Sequence, residues 1–297
     1  MLPVFLLLLG IFMSGTYSVG LKPVNTRCTS MAQLQLFNGC FTCVAALGST
    51  VVALIGGSFY IPLSGVLTAA AFGVFFSLCV FTNLKALEDG PVSLTTLIVN
   101  FSLIMPLIYS FCFLGEAVTV FRIVGILLLV VCMFLFTNPK ITGEKKLSPK
   151  WLGLSLFSMV CNGTLSLVTK VYAIETDNAY SGPYLALCYI FASITSFVIF
   201  AILNARLPKE EKTQAKTFFV PRMLGLILLI GIANFGLNYV VVLLCTMMDG
   251  AIVYPAIQGG APIIAAIGSR LFFGESISLK KGGAILLGAA AIVLLNL

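Results

Sequence analysis

"GTYSVGLK" at residues 15–22 and "GTLSLVTK" at residues 163–170 set Gly, Thr, Ser and Lys at one spacing twice, 148 positions apart. The chain around them is almost wholly apolar: of 297 residues 60% are hydrophobic and 9% charged. A soluble domain carries about 25% charged residues. So little polar surface cannot cover a water-facing globule of this length, and the solvent implied is lipid. Each octet is therefore a polar stretch inside a membrane segment.

The net charge of +7 does not point to nucleic acid, because the charges sit in short gaps between apolar runs, as in membrane loops. With no histidine in the chain, an imidazole metal site, base or proton relay is excluded, and neither metal nor cofactor is expected. The nine cysteines, an odd number, lie mostly within apolar runs and make no disulfide framework. Cys40-Phe-Thr-Cys43 has the C-x-x-C form, but its oily surroundings favour helix packing over redox chemistry.

Crossing a bilayer takes about 17–25 apolar residues as a helix. Ten segments qualify, at about 2–21, 33–56, 62–84, 91–113, 119–138, 151–173, 182–204, 222–245, 251–272 and 281–297. The first lacks a basic leader and an A-x-A-like cleavage site, and it contains one of the octets, so it is read as a retained span rather than a signal peptide. Two further matches keep the same order. "LGEAVT" (114–119) and "FGESIS" (273–278) lie 159 apart, and "DGPVSL" (89–94) and "DGAIVY" (249–254) lie 160 apart. The expected fold is all-α: a five-helix repeat at 1–139, a cytoplasmic linker at 140–150 and a second repeat at 151–297. Five is odd, so the second copy must be inverted, an arrangement typical of alternating-access carriers. The odd-numbered loops hold fifteen Lys and Arg and the even-numbered ones only Arg122 and Lys170. The positive-inside rule then puts both termini on the non-cytoplasmic side of the cell membrane.

"ALEDGPVSLTTLIVNFSLIMPLIYSFCFLGEAVTVFRIVGILLL" (86–129) and "TMMDGAIVYPAIQGGAPIIAAIGSRLFFGESISLKKGGAILLG" (246–288) each run a proline-containing helix into Gly-Glu, a polar turn and a glycine-rich last helix. In this the chain resembles the drug/metabolite transporter superfamily, specifically its ten-helix EamA type. The family spaces a proline thirteen residues before the Glu. Pro262 fits Glu275, whereas Pro106 stands only ten before Glu116. The resemblance implies secondary transport of a small metabolite through a cavity between the halves. It names no substrate.

Gly15, Ser18 and Lys22 share one helix face, as do Gly163, Ser166 and Lys170. With Ser14, Thr16, Tyr17, Asn162 and Thr164 they form either a close-packing seam or a cavity wall, and packing is the first reading for the glycines. Both lysines lie near a membrane face, where snorkelling is the first reading. The second makes Lys22–Glu275 (inner) and Lys170–Glu116 (outer) alternating mouth pairs, or lets the lysines attract anionic substrates. The first reading for the glutamates is helix-end chemistry, with Thr119 and Ser278 as N-caps. Deeper lie Asn100 and Gln258 in corresponding spans, with Tyr254 and Pro262 on the Gln258 face, and Asn234, Asn238 and Tyr239 in span eight. These are the substrate-binding candidates, either lining a cavity or joining helices.

No carboxylate falls mid-span, so proton-coupled export through a membrane-buried glutamate in the first helix is disfavoured. The sequons Asn162-Gly-Thr164 and Asn100-Phe-Ser102 lie within spans and carry no message about glycosylation. A membrane-embedded enzyme, the less favoured alternative, needs grouped acids, histidines or a metal cluster, and here acids are grouped only at Glu88-Asp89 and at Glu210-Glu211, the latter in a mixed-charge loop that reads as solvated surface. A channel is the alternative to a carrier. The expected partners are a small polar substrate and the bilayer, with a monomer sufficient and a homodimer open.

Overall fold

Lipid offers a backbone no hydrogen-bond partners, so a chain this apolar must close its bonds within helices. The computed structural model describes all residues except 1, 29, 58–59, 90–94, 96–97, 117–118, 137–147, 177–179, 209–217, 274–278 and 296–297. Among the described residues all regular structure is helical: α1 (Leu2–Arg27), α2 (Met31–Ile55), α3 (Leu63–Asp89), a 3-10 turn (Phe101–Leu103), α4 (Ile104–Phe113), α5 (Val120–Phe136), α6 (Pro149–Thr176), α7 (Ser181–Ala205), α8 (Pro221–Met247), α9 (Gly250–Phe273) and α10 (Leu279–Leu295). Seven of these, α1–α3 and α6–α9, are long and apolar enough to cross a membrane, which makes this a multi-pass membrane protein. Glu275 and Ser278 lie outside the described residues, as do residues 140–147 of the expected linker and the side chain of Lys22.

The helices overrun the apolar segments that announce them. The first apolar segment ends near residue 21, yet α1 continues through Pro23 to Arg27. Helical bonding costs nothing to continue in the headgroup region, where polar side chains are welcome. Ser30 then caps α2, its hydroxyl accepting from Gln33 N at 3.2 Å. The fourth segment, expected as one helix over 91–113, is interrupted by the 3-10 turn. Pro106 has no N–H for the carbonyl of Ser102 and crowds it, so the chain tightens just upstream.

The helices are inside-out relative to those of a soluble protein. On α7, Ile190, Ile194, Val198 and Ile202 form an exposed stripe, while Tyr189, Ala192, Ser193 and Ser196 are buried. Small and hydroxylated residues let membrane helices approach closely, whereas branched apolar ones suit lipid. Asn38 donates to Ser196 Oγ at 2.8 Å, Ser77 donates to the Ala192 carbonyl at 2.8 Å, and Ser193 donates to Thr42 Oγ1 at 2.9 Å. This polar seam ties α2, α3 and α7 together. All nine cysteines are free thiols.

The main helix pairs cross between the first and second halves of the chain: α2 with α7, α3 with α6, α1 with α8, and α5 with α10. The halves are thus interleaved. Glycine permits the tightest crossings. A Cβ on Gly73 of α3 would stand 2.6 Å from the Ala192 nitrogen of α7, and one on Gly231 of α8 would stand 2.8 Å from the Phe41 carbonyl oxygen of α2.

Candidate functional site

Where six of the interleaved segments meet they leave a cavity of about 590 Å³. α1 contributes Ser14, Tyr17 and Ser18, and α6 contributes Asn162, Ser166 and Thr169. The two octets thus face one another across one space. Asn100 lines it from the helical turn at 98–100, and Tyr254, Gln258 and Pro262 line it from α9, sharing the face their spacing places them on. Asn234 and Asn238 enter from α8.

Three candidates lie off the wall. Thr16 and Thr164 sit on the outward side of their helices and return their hydroxyls to the carbonyls of Phe12 and Val160, at 2.9 and 2.8 Å. At 100° per residue, positions 16 and 164 cannot share the face of 14 and 18 or of 162 and 166. Tyr239 packs its ring against Phe235, 5.8 Å between centroids, and is no part of the cavity lining. The octet glycines are seam rather than wall. A Cβ on Gly15 would strike Ile264 of α9, and one on Gly163 would strike Met105 of α4.

The amides are spread between structure and space. Asn162 donates to Ser102 Oγ at 2.8 Å, and Ser102 Oγ lies 3.5 Å from Gln258 Oε1, linking α6, the 3-10 turn and α9. Asn238 donates to the Asn234 carbonyl at 3.0 Å. Tyr254 donates to the Ser166 carbonyl at 2.8 Å. Pro262 lies inside α9 and has no N–H to give the Gln258 carbonyl. The sequence candidates left out two polar wall residues, Asn83 of α3 and Thr169 of α6, and the Ser102 link beside the wall. Asn83 was an amide inside an apolar run and therefore legible.

One end of the bundle carries a charged cluster. Lys170 stands beside Thr169 of the cavity wall, yet its side chain is only 1% exposed, bonded to Glu116 and donating to Ser110 Oγ at 2.9 Å. Lys170 therefore does not snorkel. Height along a helix set its distance from the membrane face, but its radial direction points into the bundle. Glu116 Oε1 and Oε2 also accept from Gly250 N and Ala251 N, each at 3.0 Å. The carboxylate sits on the N-terminus of α9, where dipole and unpaired N–H groups favour an anion. Glu116 is thus at once at a helix end and in an ion pair, although the helix it caps is α9 and not the adjacent α5. Thr119 caps α5, accepting from Arg122 N at 3.2 Å.

Backbone geometry aims Glu116. Gly115 adopts φ +64°, open to glycine at no steric cost, and the Glu116 N–H closes the turn on the Ser110 carbonyl at 3.3 Å. Burial alone would raise the Glu116 pKa. The Lys170 ammonium and the two α9 amides more than offset it, holding the carboxyl below its ordinary value of 4.5. Arg122 and Asp249 add a second ion pair at this end, 2.6 Å apart and more exposed.

The chain superposes on a solved crystal structure with a TM-score of 0.76, covering 98% of this chain and 95% of that one at 14% sequence identity. A likeness at that identity is one of fold. No protein-family model and no curated protein matches the chain.

Proposed function

We propose that this protein is a secondary carrier of the EamA type. Ten spans form two inverted five-helix repeats, and a small polar metabolite crosses the cell membrane by alternating access through the cavity between them. The observation that carries this reading is that contacts come in exchanged pairs. Gly15 meets Ile264 and Gly163 meets Met105, so the partners stand 148 and 159 positions apart, as in the octets and the Gly-Glu motifs. Gly73 against α7 and Gly231 against α8's partner α2 repeat the exchange. A two-fold relation between the halves generates such pairs, and chance packing has no reason to.

On this reading the odd loops are cytoplasmic, both termini lie outside, and the Lys170–Glu116 cluster closes the outer mouth. The sequence places a counterpart at the other end. Lys22 and Glu275 match Lys170 and Glu116, and Ser269 stands 159 positions from Ser110. Pro91 occupies the position matching Ala251, and proline has no N–H to offer.

Counterflow in proteoliposomes tests the mechanism. A carrier saturates and exchanges labelled for unlabelled substrate, a channel does not exchange, and an enzyme consumes the substrate. Charge reversal at Lys22 that leaves rate and selectivity untouched removes the alternating-pair mechanism. Accessibility tags that place residues 22 and 170 on one membrane face remove the inversion.

A further inference from the structure

The cavity wall has a chemical bias that goes further than "polar metabolite". Asn234 is 4% exposed, and its Oδ1 accepts no hydrogen bond from the protein; the same is true of Asn83 Oδ1 across the space on α3. A buried acceptor left unpaired costs about 1–3 kcal/mol, so a ligand that brings donors to both recovers that loss. Beside these amides Tyr17 is the partly exposed aromatic of the wall, backed by the buried rings of Phe72 and Phe76.

Charge on the ligand is disfavoured from both signs. Lys170, the cation beside the cavity, is buried, is not among the cavity's lining residues and has its charge balanced by Glu116. Among the described residues the wall carries no carboxylate to neutralise a cation, and a charge unpaired at that depth in a membrane is expensive. Amides that offer both donor and acceptor, together with an aromatic ring, suit the edge and face of a nitrogen heterocycle. At about 30 Å³ per water the volume holds roughly twenty waters, room for such a ring with a sugar attached.

We infer that the cavity binds an uncharged ligand of nucleobase or nucleoside type, which gives N–H donors to Asn83 and Asn234 and lays its ring beside Tyr17. The inference rests on the cavity's being the substrate site of the proposed carrier.

Titration calorimetry on the purified full-length protein tests it with adenosine, adenosine monophosphate and tetraphenylphosphonium. Saturable adenosine binding is expected, with the monophosphate and the phosphonium at least tenfold weaker. Asn234→Ala and Asn83→Ala should each weaken adenosine about tenfold, the loss of one well-placed hydrogen bond. Asn234→Ser and Asn83→Ser serve where an alanine variant fails to fold. No adenosine binding, equal or tighter binding of either charged probe, or unchanged affinity in the variants overturns the inference. Adenosine binding without counterflow sinks the carrier and leaves the ligand class standing. Saturable counterflow of an organic ion that adenosine does not inhibit does the reverse.

Discussion

Thr169 and Lys170 are neighbours on α6, and they belong to two polar regions built on opposite plans. The cavity beside Thr169 holds amides and hydroxyls without formal charge among its described wall residues, two of them with an acceptor unclaimed. The cluster around Lys170 holds full charges, with both Glu116 oxygens bonded and the lysine bonded to two partners. In a medium that solvates nothing, a satisfied charge is a fastener, and an unsatisfied neutral group is an invitation to a ligand. The difference separates groups already paired within the bundle from groups left open on a cavity wall.

The comparison can be broken most sharply at the lysine. Lys170→Met leaves the buried Glu116 carboxylate without its cation and should lower stability by about 3–5 kcal/mol. Adding Glu116→Gln should restore much of that loss in a thermal unfolding assay. If Lys170→Met leaves the melting temperature unchanged, the cluster fastens nothing.

Glycine crossings come next. Gly73→Ala sets a methyl against the Ala192 backbone, which cannot yield, and should cost about 1–3 kcal/mol. Gly163→Ala meets the Met105 sulfur, the flexible part of an unbranched side chain, and should cost clearly less. Equal melting shifts for the two would show that crossing distance does not control the bundle.

Acidity gives a smaller effect with a definite sign. The Glu116 pKa is lower folded than unfolded, so its contribution is complete above about pH 4.5 and is lost as pH falls through the depressed value. Melting temperature should therefore fall on acidification below pH 4.5, and Glu116→Gln should flatten that decline. A profile identical in the variant would assign the acid sensitivity elsewhere.

The smallest expected effect sharpens the contrast. Asn83→Ala removes an amide whose oxygen has no partner, so the unliganded protein should keep its stability within about 1 kcal/mol. A loss as large as that of Lys170→Met would mean that the cavity amides are structural ties.

Much of the architecture was legible because a bilayer permits so few solutions. The α6 and α8 segments announce themselves by length and hydropathy, and the face shared by Tyr254, Gln258 and Pro262 follows from helical spacing. The octets and the residue before each marked the cavity wall at Ser14, Ser18, Asn162 and Ser166. Thr16 and Thr164 fell away through the same arithmetic. Ser102 stayed hidden because a serine in an apolar helix ordinarily bonds its own backbone, and nothing in the chain signals that this one bridges Asn162 to Gln258. Tyr239 misled because an aromatic near two asparagines need not point where they do.

By itself the sequence determined the solvent, the helical class and the repeated polar stretches, since these follow from local composition and a period of 3.6 residues. Only the tertiary structure decided that the two halves interleave, that Lys170 turns inward to Glu116 and that Glu116 caps a helix from the other half. Height in a membrane is written along a helix, but the direction a side chain takes around the bundle axis depends on which neighbours pack against it, and those come from far along the chain.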